Sequence, residues 1–392
     1  MIEKAQNIIE NMTEIFAGQL NLEKKANGSW FFAYGFLAGR EKLFFDDSQL
    51  QQLLHTNSQT EFLNLIQNAN YLGETVEEAL INSQQADLEL IYSIVPDYTL
   101  LKIFLLFNDA HNLKVFLRTI LPAQESILIK DIEYLLLRPY LTEPQQILSA
   151  VRNMSENTKK ANNANNNNTN NNNDNNNNIN NTELTEESNS MNFQVPEWFQ
   201  PTIKQAEEIY LESYDMSRVD LVVNQALWQE IIDLLSDINS EWLTEYYLLK
   251  VDLINLEILF RCRNLNLNKD FFQRSLLLQG NLNQEQWLEL FSLDDSELSK
   301  KLDFFGFGDF SETMGSYYQP GSASIFSQLA DSHLMKKIRE TKSFASGVEK
   351  VAAYYLIREM ERRNIRLIRA CHLNSIPQER AGQMIRPSYV GV

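Results

Sequence analysis

Apolar residues recur at intervals of three and four along most of this chain, which is the spacing of amphipathic α-helices. Three of the predicted helices carry the same polar signature: an acid, then Asn three positions later, then an apolar residue. We call them the signature helices and expect them at about residues 100–120, 241–263 and 348–370. Their repetition indicates that one helical unit occurs three times. The acids are Asp109, Asp252 and Glu361, and the asparagines are Asn112, Asn255 and Asn364.

In each copy the acid and the Asn share a helix face with apolar residues four before and six or seven after the acid. A buried carboxylate destabilises a protein unless it is hydrogen-bonded or paired. We therefore expect each pair to form a structural polar lock, with a helix N-terminus or an Arg of a neighbouring helix in the same lobe as its partner. Arg118 and Arg261 follow the acid by nine residues, and Arg369 follows by eight. The alternative, catalysis or metal binding by the pair, would require three sites on three diverged copies, so the lock is favoured.

The spacing of the copies locates an insertion and sets the domain boundaries. Asn112 and Asn255 are 143 residues apart, whereas Asn255 and Asn364 are 109 apart. A tract dominated by Asn lies between the first two copies, and it lacks the apolar residues needed to form a core. The predicted segments are an N-terminal helical extension (1–29), lobe 1 (30–152), an Asn-rich disordered insert (153–192), lobe 2 (193–303) and lobe 3 (304–392).

Composition favours an all-α protein. The chain has 392 residues, of which 44% are hydrophobic and only nine are Pro. No run of 18 apolar residues and no signal-peptide pattern occurs, which predicts a cytosolic protein that does not span a membrane. Cys262 and Cys371 are expected to be buried free thiols.

Charge is distributed unevenly. The net charge of −18 argues against binding to nucleic acid or anionic lipid. From Lys336 onward, however, twelve Lys and Arg stand against five Glu. Arg358, Arg362, Arg366 and Arg369 are spaced by four, four and three residues, which predicts one basic ridge on the third signature helix. This ridge is either a face that is solvated or paired with the chain's own acids, or a candidate docking surface for an acidic partner.

No catalytic constellation is found. The Phe-Gly-Phe-Gly-Asp sequence at 305–309 lacks the third Gly and the Lys-Ser/Thr pair of a phosphate-binding loop. The four histidines share no metal-ligand spacing, and no nucleophile elbow, Walker sequence or HExxH occurs. We therefore predict a protein that is not an enzyme, with no catalytic residue, no cofactor and no metal site.

Several segments carry a family resemblance: Tyr-Gly-Phe-Leu-Ala-Gly-Arg at 34–40, the signature sequences starting at 109 and 252, Val-Asp-Leu-Val at 219–222, and Gly-Val-Glu-Lys-Val-Ala-Ala-Tyr at 347–354. In this order they resemble the C subunit of bacterial and archaeal V/A-type ATPases, the counterpart of the d subunit of the eukaryotic vacuolar proton pump. The resemblance covers about residues 30–392 apart from the Asn-rich tract. Glu257, where a basic residue is expected, and the shifted Arg369 depart from it.

The resemblance implies a fold and a function. The fold would be all-α, with three pseudo-threefold related lobes forming a funnel with a central opening. The protein would be a non-catalytic rotor subunit that couples the central-stalk subunits to the membrane proteolipid ring, linking ATP-driven rotation to H⁺ or Na⁺ translocation. It would lie peripherally on the cytoplasmic face of the membrane and bind no nucleic acid. The alternative is a generic cytosolic helical-repeat adaptor unrelated to a rotary pump.

Overall fold

The computed structural model describes residues 28–122, 128–154, 195–315, 317 and 322–391. These residues form helices and connecting loops with no extended strand, which confirms the all-α class. The predicted N-terminal helix and all but the first two residues of the Asn-rich insert lie outside the described residues. Within the described part, no helix is long and apolar enough to cross a membrane. The funnel arrangement and the lobe boundaries stay predictions.

The helices follow one another with short connections. The first group is α1 Trp30–Ala38, α2 Asp47–Leu54, α3 Gln59–Asn68, α4 Val76–Ile94, α5 Thr99–Ile120, α6 Ile129–Ile132 and α7, whose described part is 144–154. The second group is α8 Phe199–Ser213, α9 Met216–Ile238, α10 Glu241–Asn264, α11 Lys269–Ser275, α12 Gln284–Ser292, α13 Asp295–Phe304, α14 Ser311–Met314, α15 Ser322–Arg339, α16 Val348–Leu373 and α17 Gln378–Gly382. Single 3-10 turns lie at Glu41–Leu43, Glu133–Leu135, Gly308–Phe310 and Glu340–Ser343.

The signature helices are α5, α10 and α16, and their observed bounds agree with the predicted ones to within three residues. Side-chain caps explain where several helices begin. Ser240 accepts the Leu243 N–H at the start of α10, and Thr75 accepts the Glu78 N–H at the start of α4. Such caps satisfy N–H groups that have no partner within the helix.

The described residues divide into two compact units. One contains residues 105–230, and the other contains residues 28–104 and 231–391. A core of the second unit joins its two stretches of sequence, because Phe45, Phe62 and Tyr71 pack with Ile365 and Ile368 of α16. The helices that precede α5 in the sequence are thus packed on the third signature helix.

Each signature helix packs against the helix that precedes a different signature helix. In the first unit, Phe107 of α5 makes an edge contact with Trp228 of α9, at 5.7 Å between ring centroids. In the second unit α10 packs on α15, where Trp242 Nε1 donates to the Lys337 carbonyl, and α16 packs on α4. The partner helices α9, α15 and α4 come directly before α10, α16 and α5, respectively. The same kind of pairing therefore occurs three times. Shared pairing of this kind is the structural counterpart of the sequence repeat.

Candidate functional site: three polar locks and a buried arginine cluster

The lock of copy two joins α10 to the loop between α11 and α12. Asn255 is fully buried, and its side-chain amide pairs with the backbone of a single residue. Its Nδ2 donates to the Leu277 carbonyl (2.8 Å), and its Oδ1 accepts from the Leu277 N–H (2.9 Å). Asp252 accepts the N–H groups of Asn281 (3.0 Å) and Leu282 (3.2 Å). Two side chains on one helix face therefore hold both ends of the loop.

The loop passes so close to Asp252 that Gly280 has no room for a side chain. A Cβ at this position would collide with the Asp252 carboxylate and would lie 3.3 Å from Val251 Cγ1. This is the close approach of backbone to side chain that favours Gly.

The lock of copy one has the same pattern. The Asn112 amide pairs with the Leu137 backbone, donating to its carbonyl (3.1 Å) and accepting its N–H (2.8 Å). Asp109 accepts the Leu141 N–H (2.8 Å) and the Thr142 hydroxyl (2.7 Å). Asp109 and Asn112 are both fully buried.

The lock of copy three is completed by two segments that are distant in sequence. Asn364 pairs with the Arg386 backbone, donating to its carbonyl (3.0 Å) and accepting its N–H (2.9 Å). Glu361 accepts the N–H of Phe45 (2.6 Å), from the beginning of the described chain, and the Tyr71 hydroxyl (2.9 Å). The polar pattern is preserved although the covalent connection differs.

In all three locks the acid binds the residues that directly precede a capped helix. These helices are α2, α7 and α12, and in each a Gln side chain accepts the N–H of the residue before the helix. The carboxylate thus lies near the positive end of a helix dipole, which is favourable. The acids accept N–H groups one or two residues upstream of the cap, so they lie near the expected partner, a helix N-terminus, without binding the N–H groups of its first turn. The cap and Gln pairs are Asp46 with Gln49, Glu143 with Gln146, and Asn283 with Gln286.

The arginines that follow the signature are held by other acids. Arg118 forms an ion pair with Asp220 of α9, Arg261 with Glu257 one turn before it (2.9 Å), and Arg369 with Glu77 of α4. In copy three the lock acid does have an Arg partner, since Arg358 Nη1 donates to Glu361 (2.9 Å), but this Arg lies on the same helix and not on a neighbouring one as expected.

Arg358 and Arg362 form the centre of a buried charge cluster between α16 and α4. Arg362 is fully buried, and Arg358 is 4% exposed. Both bind the same oxygen of Asp87, Arg362 through Nη1 (2.5 Å) and Arg358 through Nε (3.1 Å). Arg358 also donates to the Ser83 hydroxyl (2.9 Å), and its guanidinium lies 4.2 Å from the centre of the Tyr71 ring. Buried charges are tolerated when they are paired and hydrogen-bonded in this way.

For three of the four arginines of the predicted basic ridge, the structure shows the first alternative, pairing with the chain's own acids. Arg358 and Arg362 face α4, whose Asp87 neutralises them, and Arg369 is partly buried against Glu77. Of the four arginines only Arg366 is exposed. Helical spacing placed these side chains on one face but did not reveal that a second helix covers much of it.

Burial sets the electrostatics of the lock acids. Desolvation raises the pKa of Asp109 to about 7, although the bonds from Thr142 and Leu141 act in the opposite direction. Burial likewise raises the pKa of Asp252 and of Glu361, with Arg358 opposing the shift at Glu361. A cavity of about 10 Å³ beside Glu361 and Asn364 has room for about one water molecule. This geometry favours a structural role for the acids over a chemical one.

Sequence reasoning missed Ser83 and Asp87, which complete the arginine cluster. The sequence did mark them as polar residues at core-facing positions, because both lie in the apolar stripe of α4 that includes Leu80 and Ile91. It also missed the recurring Gln at the third position of α2, α7 and α12, which a search for capping boxes would have found in α2 and α12. The pairing of Glu361 with Phe45 carries no local sequence signal.

Comparison with known proteins identifies a family. The family model described as ATP synthase (C/AC39) subunit matches residues 34–160 and 183–384, and so covers most of the chain. The match includes all three signature helices. No curated protein matches the chain. Among the described residues, no group of three His, Cys, Asp or Glu side chains is arranged to hold a metal ion.

Proposed function

We propose, because the chain belongs to the ATP synthase (C/AC39) subunit family, that it is the non-catalytic coupling subunit of a V/A-type ATPase. It would join the central-stalk subunits to the membrane proteolipid ring and so link ATP-driven rotation to H⁺ or Na⁺ translocation. It would be peripheral, on the cytoplasmic face of the membrane.

The family match is the observation that carries this proposal, since it spans residues on both sides of the Asn-rich tract. The locks support it physically. A subunit that transmits torque requires helices that keep their relative positions under load. Asn255 and Asp252 fix the two ends of the loop between α11 and α12 to α10, and hydrogen-bond networks of this kind rigidify a core.

A docking role is proposed for Arg366 alone among the four arginines of the predicted ridge. Its side chain is exposed on α16, whereas Arg358 and Arg362 are occupied by Asp87. An acidic surface of the stalk or the ring would be its partner. Exposed charges of this kind contribute mainly to association rate and orientation.

The test is affinity purification of the tagged full chain from detergent-solubilised membranes, followed by mass spectrometry. The expected result is recovery of the proteolipid and the central-stalk subunits in fixed proportion. Recovery of the folded chain with cytosolic proteins only would refute the proposal and favour the generic adaptor.

A charge-reversal pair tests the docking residue in the same experiment. Arg366→Glu should reduce recovery of the partners several-fold without changing the melting temperature of the isolated chain. Lys300→Glu reverses one exposed charge on α13 and serves as the matched control, with recovery unchanged. Equal recovery with both variants would remove Arg366 from the interface.

A further inference from the structure

Residues 386–391, which we call the strap, complete the third lock in a way that has no equivalent in the other two. In copies one and two, the residue that pairs with the lock Asn continues through a short loop to the residues that bind the acid. In copy three these two roles belong to Arg386 and Phe45, on segments far apart in the sequence. No short loop therefore joins the strap to Phe45.

Several non-covalent contacts hold the strap in place. The Arg386 guanidinium donates to Asp331 (2.7 Å) and Ser327 (3.1 Å) of α15. The Ser388 N–H donates to Asp47 at the start of α2 (3.2 Å). The strap therefore bridges α15, α16 and α2.

The strap also closes the small cavity beside the lock. Pro387, Ser388 and Tyr389 form one side of this cavity, and the Tyr389 ring makes an edge contact with Phe44 at 5.8 Å between centroids. The opposite side is largely apolar and includes Leu50, Met335, Ile357 and Met360. If the strap moved away, this apolar surface and the Asn364 amide would become accessible.

We propose that the strap is a releasable latch. In one local opening it separates from Asn364, Asp331 and Asp47 together, while the lock of copy two stays closed.

The physical reason is the difference in covalent connection. In copy two one short loop carries the partners of both Asn255 and Asp252, so the bonds to one acceptor keep the partner of the other nearby at a high effective concentration. In copy three the strap carries only the partner of Asn364, and the bonds of Glu361 to Phe45 do not hold it in place. Local openings break a limited set of contacts and free a short segment of chain.

Native-state hydrogen exchange on the full chain tests the latch. The matched reporters are the amides of Arg386 and Leu277, because each donates to the Oδ1 of its lock Asn. The Arg386 amide should be at least tenfold less protected than the Leu277 amide. The Ser388 amide should show the same protection as Arg386, since one opening releases both. Equal protection of Arg386 and Leu277, or unequal protection of Arg386 and Ser388, would overturn the proposal.

A pair of substitutions at equivalent positions adds a second test. Asp47 and Gln284 are the first residues of α2 and α12, and Asp47 alone of these two accepts a bond from the strap. Asp47→Ala should speed exchange at Arg386 several-fold with little change in the melting temperature. Gln284→Ala should leave exchange at Leu277 unchanged. An Asp47→Ala protein whose Arg386 amide exchanges at the wild-type rate would show that the strap is not anchored on α2 as proposed.

Discussion

Replacing Asn255 by Leu tests whether the polar lock stabilises the fold. The two side chains are similar in volume, so the exchange removes hydrogen bonds without opening a large cavity. The backbone N–H and carbonyl of Leu277 both lose their partner, in a residue only 4% exposed. A buried polar group left without a partner costs about 1–3 kcal/mol. The free energy of unfolding should therefore fall by about 2–6 kcal/mol.

The first lock provides a matched control. Asn112→Leu removes the same two bonds, but Leu137 is 43% exposed, so water can reach its backbone groups. The expected loss is about 1 kcal/mol. The gain in helix propensity, about 0.5 kcal/mol, is the same in both variants and cancels in the comparison.

Urea unfolding followed by far-ultraviolet circular dichroism measures both losses, and thermal melting provides a second measure. A change of 1 kcal/mol shifts the melting temperature of a domain of 150–250 residues by about 2–4 °C. Asn255→Leu should thus melt at least about 4 °C below the wild type, and Asn112→Leu about 2–4 °C below it. An Asn255→Leu protein that melts like the wild type would refute the lock, and equal losses in the two variants would refute the role given to burial.

Three further substitutions have directions fixed by the structure. Burial raises the pKa of Asp109 from its ordinary value of 3.8 to about 7, so this carboxyl contributes stability that is present below pH 4 and is lost as the pH rises through 7. Asp109→Asn should remove that decline, and urea titrations at pH 5 and pH 8 should show the variant relatively more stable at the higher pH; an unchanged pH profile would contradict the shift. Arg362→Met removes one partner of Asp87 and should lower the free energy of unfolding by about 3–5 kcal/mol. In a double-mutant cycle, adding Asp87→Leu should recover part of this loss. Additive losses would exclude the pairing. Gly280→Ala places a Cβ against the Asp252 carboxylate and should destabilise by about 1–3 kcal/mol, whereas Gly35→Ala in α1, with open space around it, should be neutral or slightly stabilising; equal melting temperatures for the two would contradict the close approach.

The sequence predicted the helices well because their determinants are local. Apolar spacing located the signature helices within three residues of their observed bounds, and capping residues such as Ser240 and Thr75 lie where α10 and α4 begin. The acid and Asn of each signature were correctly expected to be buried, since a polar residue within an apolar stripe must either face the core or disrupt it.

The partners of these residues could not be predicted because they depend on tertiary contacts. Asp87 and Arg362 are 275 positions apart, and no periodicity relates them. The same applies to Phe45 and Glu361, which meet only because α2 packs near α16. The alternatives for the basic ridge stayed open for this reason, because a pattern on one helix reports which side chains share a face but not what covers that face.

The third lock shows that this arrangement of hydrogen bonds does not need an unbroken loop between its two halves. The loop of copy two should therefore tolerate added sequence between the residue that pairs with Asn255 and the residues that bind Asp252. Leu278 is 58% exposed and lies between them. Exposed loop positions of this kind accept insertions most readily. An affinity tag inserted after Leu278 should leave every described helix intact. This tag site would be distant in sequence from both the Asn-rich tract and residues 386–391.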